Sequence, residues 1–261
     1  MYLVAIGSLK GTVDEALKPL ASDLGTTPYE LRLLLNAGCP AVALATVDEV
    51  AARAAVAAIQ RNGHSSVFMD RRDVVTNDQM TLLREPQFAP AGLLAHPEPS
   101  DRLPYGDIAV ILRAMHRTSN ETTQTVKERK LRPVMALATG GLIMSKTTTK
   151  SVTSSSVKTE AVLYIFRHSA QTPWLLHERQ VRYTGLGAEL RPTSLENFML
   201  MIRKLREHAP SAAYDERLMS SRPMRGVADG VEATDLFAHL LALHLKTAQG
   251  FGGCFRSDLT R

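Results

Sequence analysis

Two cysteines in 261 residues, Cys39 and Cys254, are too few for a disulfide framework or a zinc site of their own. Aromatic residues make up 5% of the chain, with one tryptophan. No apolar run approaches the roughly 18 residues that a membrane-spanning helix requires. The chain opens Met1-Tyr2-Leu3-Val4 into a strand pattern rather than a charged, apolar and small-residue leader, so the cytoplasm is the expected compartment. A charged fraction of 22% with 44% hydrophobic residues excludes a wholly disordered chain.

Catalytic motifs are equally scarce. There is no Gly-x-Ser-x-Gly elbow, and Cys39 beside Pro40 has no adjacent base. His239 and His244 are five apart and so do not share a helix face as an i, i+4 metal pair does. His168, His177 and His208 are scattered, and Asp107 with Glu160 is only a pair of carboxylates. The run from Gly140 to Thr147 approaches a phosphate-binding loop, but Ser145 stands where the second glycine belongs. The Thr-rich residues that follow are poor helix formers, whereas the motif must open a helix. The expectation is therefore no catalytic residue, no cofactor and no metal. An enzyme whose site is assembled only by the fold, a hydrolase or nucleotide-binding protein, is the alternative.

What the sequence does hold is pattern. Over the first 70 residues, a Tyr2–Ile6 strand ends at Gly7, and Thr12 precedes an acidic first turn with Leu17, Leu20 and Leu24 in stripe. Gly25 ends that helix, Thr27-Pro28 opens a second, and strands at 40–45 and 66–69 flank a third helix that ends at Asn62-Gly63. This β-α-α-β-α-β order resembles the C-terminal domain of the bacterial ribosomal stalk protein, including the glycine turn between the first helices and the Asn-Gly before the last strand. The stalk domain engages translation GTPases through a Lys-rich helix face. Here that region holds Glu30, Arg32 and Asn36, so the resemblance implies the fold and not that function.

After a polar junction at 70–78, Met80–Leu83 reads as a strand with Gly92–Ala95 as its returning partner. Strands are also expected at 105–112, 161–166 and 174–177, then a helix from Thr193 or Ser194 to His208. Several strands and one closing helix resemble a pleckstrin-homology-like barrel. The segment Leu103-Pro104-Tyr105-Gly106-Asp107-Ile108 is similar to a Pro-Tyr-x-Asp-Ile entry in bacterial members, and Leu195-Glu196-Asn197-Phe198 to their last helix. The fold class expected is α+β, with an α/β module at 1–72, a β-rich domain at 75–210 and a tail at 211–261. A tail helix at 235–249, with Asp235 near its start, is apolar nearly all round and must be buried against something.

Charge is unevenly spread. Residues 1–99 hold eight basic and eleven acidic residues, 100–209 seventeen and nine, and 210–261 six of each. The basic excess is therefore in the middle, where 118–158 forms a Thr/Ser/Lys-rich insertion. Its β-branched flanks are suited to a long hairpin whose tip, 133–144, is apolar. The candidate contact residues are Lys127, Arg129, Lys130 and Arg132 on one shoulder and Lys146 and Lys150 on the other. Leu137, Leu142, Ile143 and Met144 lie in the tip. The expected function is a non-catalytic adaptor or scaffold, binding a protein partner, a second copy of itself or an anionic membrane. Nucleic acid is disfavoured, because 118–158 has no aromatic residue for base stacking.

Overall fold

The computed structural model describes residues 1–36, 38–95, 102–131, 145–169, 171–220 and 228–248. It is an α+β structure. Strands β1 (Tyr2–Ser8), β2 (Ala41–Thr46) and β3 (Ser65–Asp70) form an antiparallel sheet in the order β2-β1-β3. Helices α1 (Val13–Leu24), α2 (Pro28–Asn36) and α3 (Glu49–Arg61) are interleaved in the expected order. Thr12 caps α1 through a reciprocal pair of hydrogen bonds with Glu15, and Gly25 ends it in the left-handed region at φ 65°.

Alternation along β1 explains why that strand is apolar without interruption. Val4 and Ile6 cluster with Leu17, Leu20, Leu31 and Ile59 of the three helices. Leu3 and Ala5 point to the opposite face, where Leu236 and Leu240 wait. Both faces are covered, so each residue from Leu3 to Ile6 is core, on alternate sides of the sheet.

The second sheet has the order β11-β8-β9-β10-β4. Its central strands are the long β8 (Ile108–Leu131) and β9 (Ser145–Arg167), with β10 (Trp174–His177) antiparallel to β9. The short edges, β4 (Thr81–Leu82) and β11 (Ala213–Asp215), pair in parallel with β10 and β8. Ile108, Ile111, Leu163 and Ile165 cluster with Phe198, Met201, Ile202 and Leu205 of α4 (Ser194–His208). Val110, Leu112, Ala114, Val162, Tyr164 and Phe166 cluster instead with Ala238, Leu241 and Ala242 of α5 (Gly230–Ala248). Helix α5 thus gives Leu236 and Leu240 to the first sheet and Ala238, Leu241 and Ala242 to the second. That is the physical reason for its all-round apolarity.

Three expectations change. The returning partner of Gly92–Ala95 (β6) is β5 (Pro86–Ala89), not 80–83; with β7 (Arg102–Leu103) these make a separate antiparallel sheet. Pro86 is tolerated because β5 is an edge strand and Pro86 its first residue. The pleckstrin-homology-like barrel is not formed: among the described residues the five-stranded sheet is open, ending in edges only two and three residues long. Finally, the tail helix, expected over 235–249, is α5 and begins at Gly230, so Asp235 lies in its second turn, where it is buried.

The chain divides into two compact units, 1–116 with 160–261, and 117–159. The boundary expected between 72 and 75 therefore falls inside the first unit, where α5 packs on both sheets. Among the described residues, no helix is long and apolar enough to cross a membrane.

Candidate functional site

The predicted contact residues fall in the second unit. Lys127, Arg129 and Lys130 are on β8, and Lys146 and Lys150 on β9, which neighbours β8 in the sheet. Arg132, Leu137, Leu142, Ile143 and Met144 lie outside the described residues. Lys146 and Thr147 are inside a strand rather than at the start of a helix, which removes the phosphate-loop geometry suggested by 140–147.

The concentrated chemistry of the first unit is elsewhere, on the face of the second sheet that meets α5. Alternation places Val110, Leu112 and Ala114 there, and His116 continues that row at 4% exposure. Tyr164 comes from β9 between Val162 and Phe166 and is wholly buried. Asp235, at 1% exposure, comes from α5. Tyr164 Oη donates to Asp235 Oδ1 at 2.7 Å and is 2.6 Å from His116 Nε2. The second carboxylate oxygen, Asp235 Oδ2, accepts the backbone N–H of Asn77 at 2.8 Å.

The circuit closes through His177 on β10. Its ring meets that of His116 edge-on at 5.4 Å between centroids. Its Nε2 is 3.3 Å from Asn77 Oδ1 and its Nδ1 is 3.3 Å from Glu160 Oε2. Both facing atoms are acceptors, so each ring nitrogen engages its partner only when it carries hydrogen. Glu160 is fixed in turn by the Arg179 N–H at 3.0 Å. Asn77 therefore touches the circuit twice, by its backbone at Asp235 and by its side chain at His177.

Burial dominates the electrostatics. It holds His116 down to about 4, with His177 adding to the effect. Burial pushes Tyr164 well up, reinforced by the carboxylate of Asp235, so the phenol keeps its hydrogen. Asp235 is raised by burial; the Tyr164 and Asn77 hydrogen bonds oppose this, and the charges of Asp78 and Glu232 add to it. His239, one turn along α5, is accounted for separately. Its Nε2 accepts the Val75 N–H at 3.2 Å, so its hydrogen is on Nδ1 and goes to the Asp235 carbonyl at 2.8 Å. It is a neutral, fully paired structural histidine.

A second polar cluster is a clasp rather than a reactive centre. Asp107 accepts from Arg167 Nε at 2.7 Å, Ser169 Oγ at 2.9 Å and Ser169 N–H at 3.0 Å. Burial alone would raise its carboxyl, but these donors together hold it below the usual range. Lys246 of α5 donates to the Arg167 carbonyl beside it. The two carboxylates paired in sequence reasoning thus separate, Asp107 to this clasp and Glu160 to the histidine circuit. Among the described residues, no three His, Cys, Asp or Glu side chains are grouped to hold a metal ion.

Sequence reasoning missed His116, Tyr164, Asn77 and Asp235 as a set. The signal was polar residues interrupting apolar rows: His116 after Val110, Leu112 and Ala114, and Asp235 within an otherwise apolar helix. No family model, no curated protein and no solved structure matches the chain.

Proposed function

We propose that the protein is a non-catalytic binding protein that docks on an anionic membrane surface through residues 117–159. The observation that carries this reading is a charge distribution set on two long strands. Residues 117–159 hold eight basic and two acidic residues, a net +6, whereas the whole chain is +5. The body is therefore close to neutral, and the segment that forms its own compact unit carries the entire excess.

The portions of β8 and β9 in that unit are fifteen residues each, 117–131 and 145–159. At about 3.3 Å per residue they extend roughly 50 Å. Their sequence has four large apolar residues, Val126, Leu131, Val152 and Val157, so neither alternating row supplies a lipid-facing barrel wall. The stretch 133–144 that joins the strands in sequence is apolar and is bracketed by Lys127, Arg129, Lys130, Arg132, Lys146 and Lys150. Cations near an anionic leaflet each contribute about 1 kcal/mol, and apolar burial adds a part that salt does not screen. The body supports a passive role, because His116, Tyr164, His177 and Asp235 are all at most 7% exposed.

Co-sedimentation with vesicles of anionic or neutral lipid tests the proposal. Binding to anionic vesicles, weakened by salt and by Lys127→Glu with Lys130→Glu, is the expected result. Equal binding to neutral vesicles, or none to either, refutes it; self-association without lipid in sedimentation velocity assigns the segment to a protein partner.

A further inference from the structure

The hydrogens of the buried circuit have two consistent arrangements, and the backbone limits them to two. The Asn77 N–H is a donor that cannot be reversed, so Asp235 Oδ2 must always accept. That leaves Asp235 Oδ1, Tyr164 Oη and His116 Nε2 in a row, with contacts of 2.7 and 2.6 Å. A phenol has one hydrogen to give. With Asp235 ionised, that hydrogen points to Oδ1, and His116 must present Nε2–H to the phenol oxygen. With Asp235 protonated on Oδ1, the acid donates to the phenol and the phenol donates to Nε2. The hydrogen of a neutral His116 must then be on Nδ1.

We infer that Asp235, Tyr164 and His116 form a proton-linked switch, in which uptake of one proton reverses both hydrogen bonds and moves the hydrogen of neutral His116 from Nε2 to Nδ1. The step balances without any other reactant. One proton enters at His116 Nδ1, the Nε2 hydrogen passes to Tyr164 Oη, and the phenol hydrogen passes to Asp235 Oδ1. No heavy-atom bond changes.

The surroundings favour this outcome over an ion pair. Burial penalises both a carboxylate at Asp235 and an imidazolium at His116, and the reversed chain contains neither. Asp78 and Glu232 face Asp235 with further negative charge, which also favours its protonated form. From β10, His177, held by Glu160 and Asn77, lies edge-on to His116 and adds to burial in disfavouring a charge on that ring. His239 is neutral and committed elsewhere. The inference goes beyond the membrane reading and does not depend on it.

Nitrogen NMR of the full-length chain with 15N-labelled histidine reads the switch directly, between about pH 7.5 and about pH 5, above the value to which burial holds His116. The expected result is that His116 stays neutral while its protonated-type and bare-type nitrogen signals exchange positions. Asp235→Asn locks the acid pattern at every pH. The Asn77 N–H requires the amide oxygen, so the amide NH2 is forced opposite Tyr164. Tyr164→Phe, which cuts the relay, leaves the His116 hydrogen where it is until unfolding. The inference is overturned if His116 becomes doubly protonated with Nε2–H retained, or keeps Nε2–H throughout. It also fails if the exchange persists in Tyr164→Phe, a readout available even where Asp235→Asn does not fold.

Discussion

Asn77 and Asp235 are 158 positions apart, and the backbone N–H of one donates to the carboxylate of the other at 2.8 Å. The polar junction after the first sheet is thereby fastened to the helix that separates the two sheets. The same carboxylate holds Tyr164 of the second sheet. One buried side chain thus ties three parts of the chain, and removing a member leaves the others unpaired in a dry interior.

Tyr164→Phe keeps the ring and its packing but deletes the hydroxyl between Asp235 and His116. Leaving a buried acceptor and a buried ring nitrogen without partners costs on the order of 3 kcal/mol. Urea unfolding at neutral pH should show that loss as a lower midpoint with an unchanged slope. A change below about 0.5 kcal/mol would mean that the hydroxyl is not an essential link.

Acid should weaken the fold through His116. Its folded value is about 4 against 6.5 for the free ring, so the unfolded chain takes up a proton first as pH falls. Stability from this residue is fully present above about pH 6.5 and declines toward pH 4; the loss is about 2 kcal/mol by pH 5 and about 3 by pH 4. His64, His239 and His244 are also lowered by burial and act with the same sign. Asp235 acts oppositely, since its raised folded value favours the native state as pH falls. His116→Gln should flatten the stability change between pH 7 and 5 by about 2 kcal/mol. An unaltered pH slope in that variant would contradict the assignment.

Much of this architecture was legible in the sequence, and the illegible part has a physical cause. Caps and glycine stops outlined α1 to α3 because they act within a few residues: Thr12 with Glu15, and Gly25 at positive φ. The all-round apolarity of the tail helix announced its burial, and the structure sets α5 against both sheets. Pairing partners were hidden, because Thr81 and Leu82 find β10 at Trp174 and Leu175 across a long stretch of sequence, which no local pattern encodes. The circuit was hidden for the same reason. Its members come from a loop, three strands and a helix, and only the folded sheet aligns them.

Helix α5 should make the two sheets unfold together. Leu236 packs against Leu3, Ala5 and Val67 of the first sheet, whereas Trp174, the sole tryptophan, lies buried in the second. Leu236→Ala removes buried methyl groups and should cost about 2–5 kcal/mol. The Trp174 fluorescence transition should shift by the same amount as the far-UV circular dichroism transition, although the substitution is on the opposite side of the helix. A Trp174 transition left in place would show that the sheets are energetically separate.

The last prediction separates the body from its basic strands. Every residue of the four apolar clusters lies in 1–116 or 160–261, so the first unit has its whole described core without 117–159. Residues 117–131 and 145–159, with Val126, Leu131, Val152 and Val157 as their only large apolar side chains, have little to add to it. Replacing 118–158 by a short Gly-Ser linker exchanges a long loop closure for a short one, an entropic change of order 1 kcal/mol in favour of the folded state. The shortened protein should therefore keep a cooperative melt within a few degrees of the full chain and retain the His116–Tyr164–Asp235 signals, while losing anionic-vesicle binding. A shortened chain that fails to fold would make 117–159 part of the structural core. A folded one that still binds anionic vesicles would move the docking surface to the body.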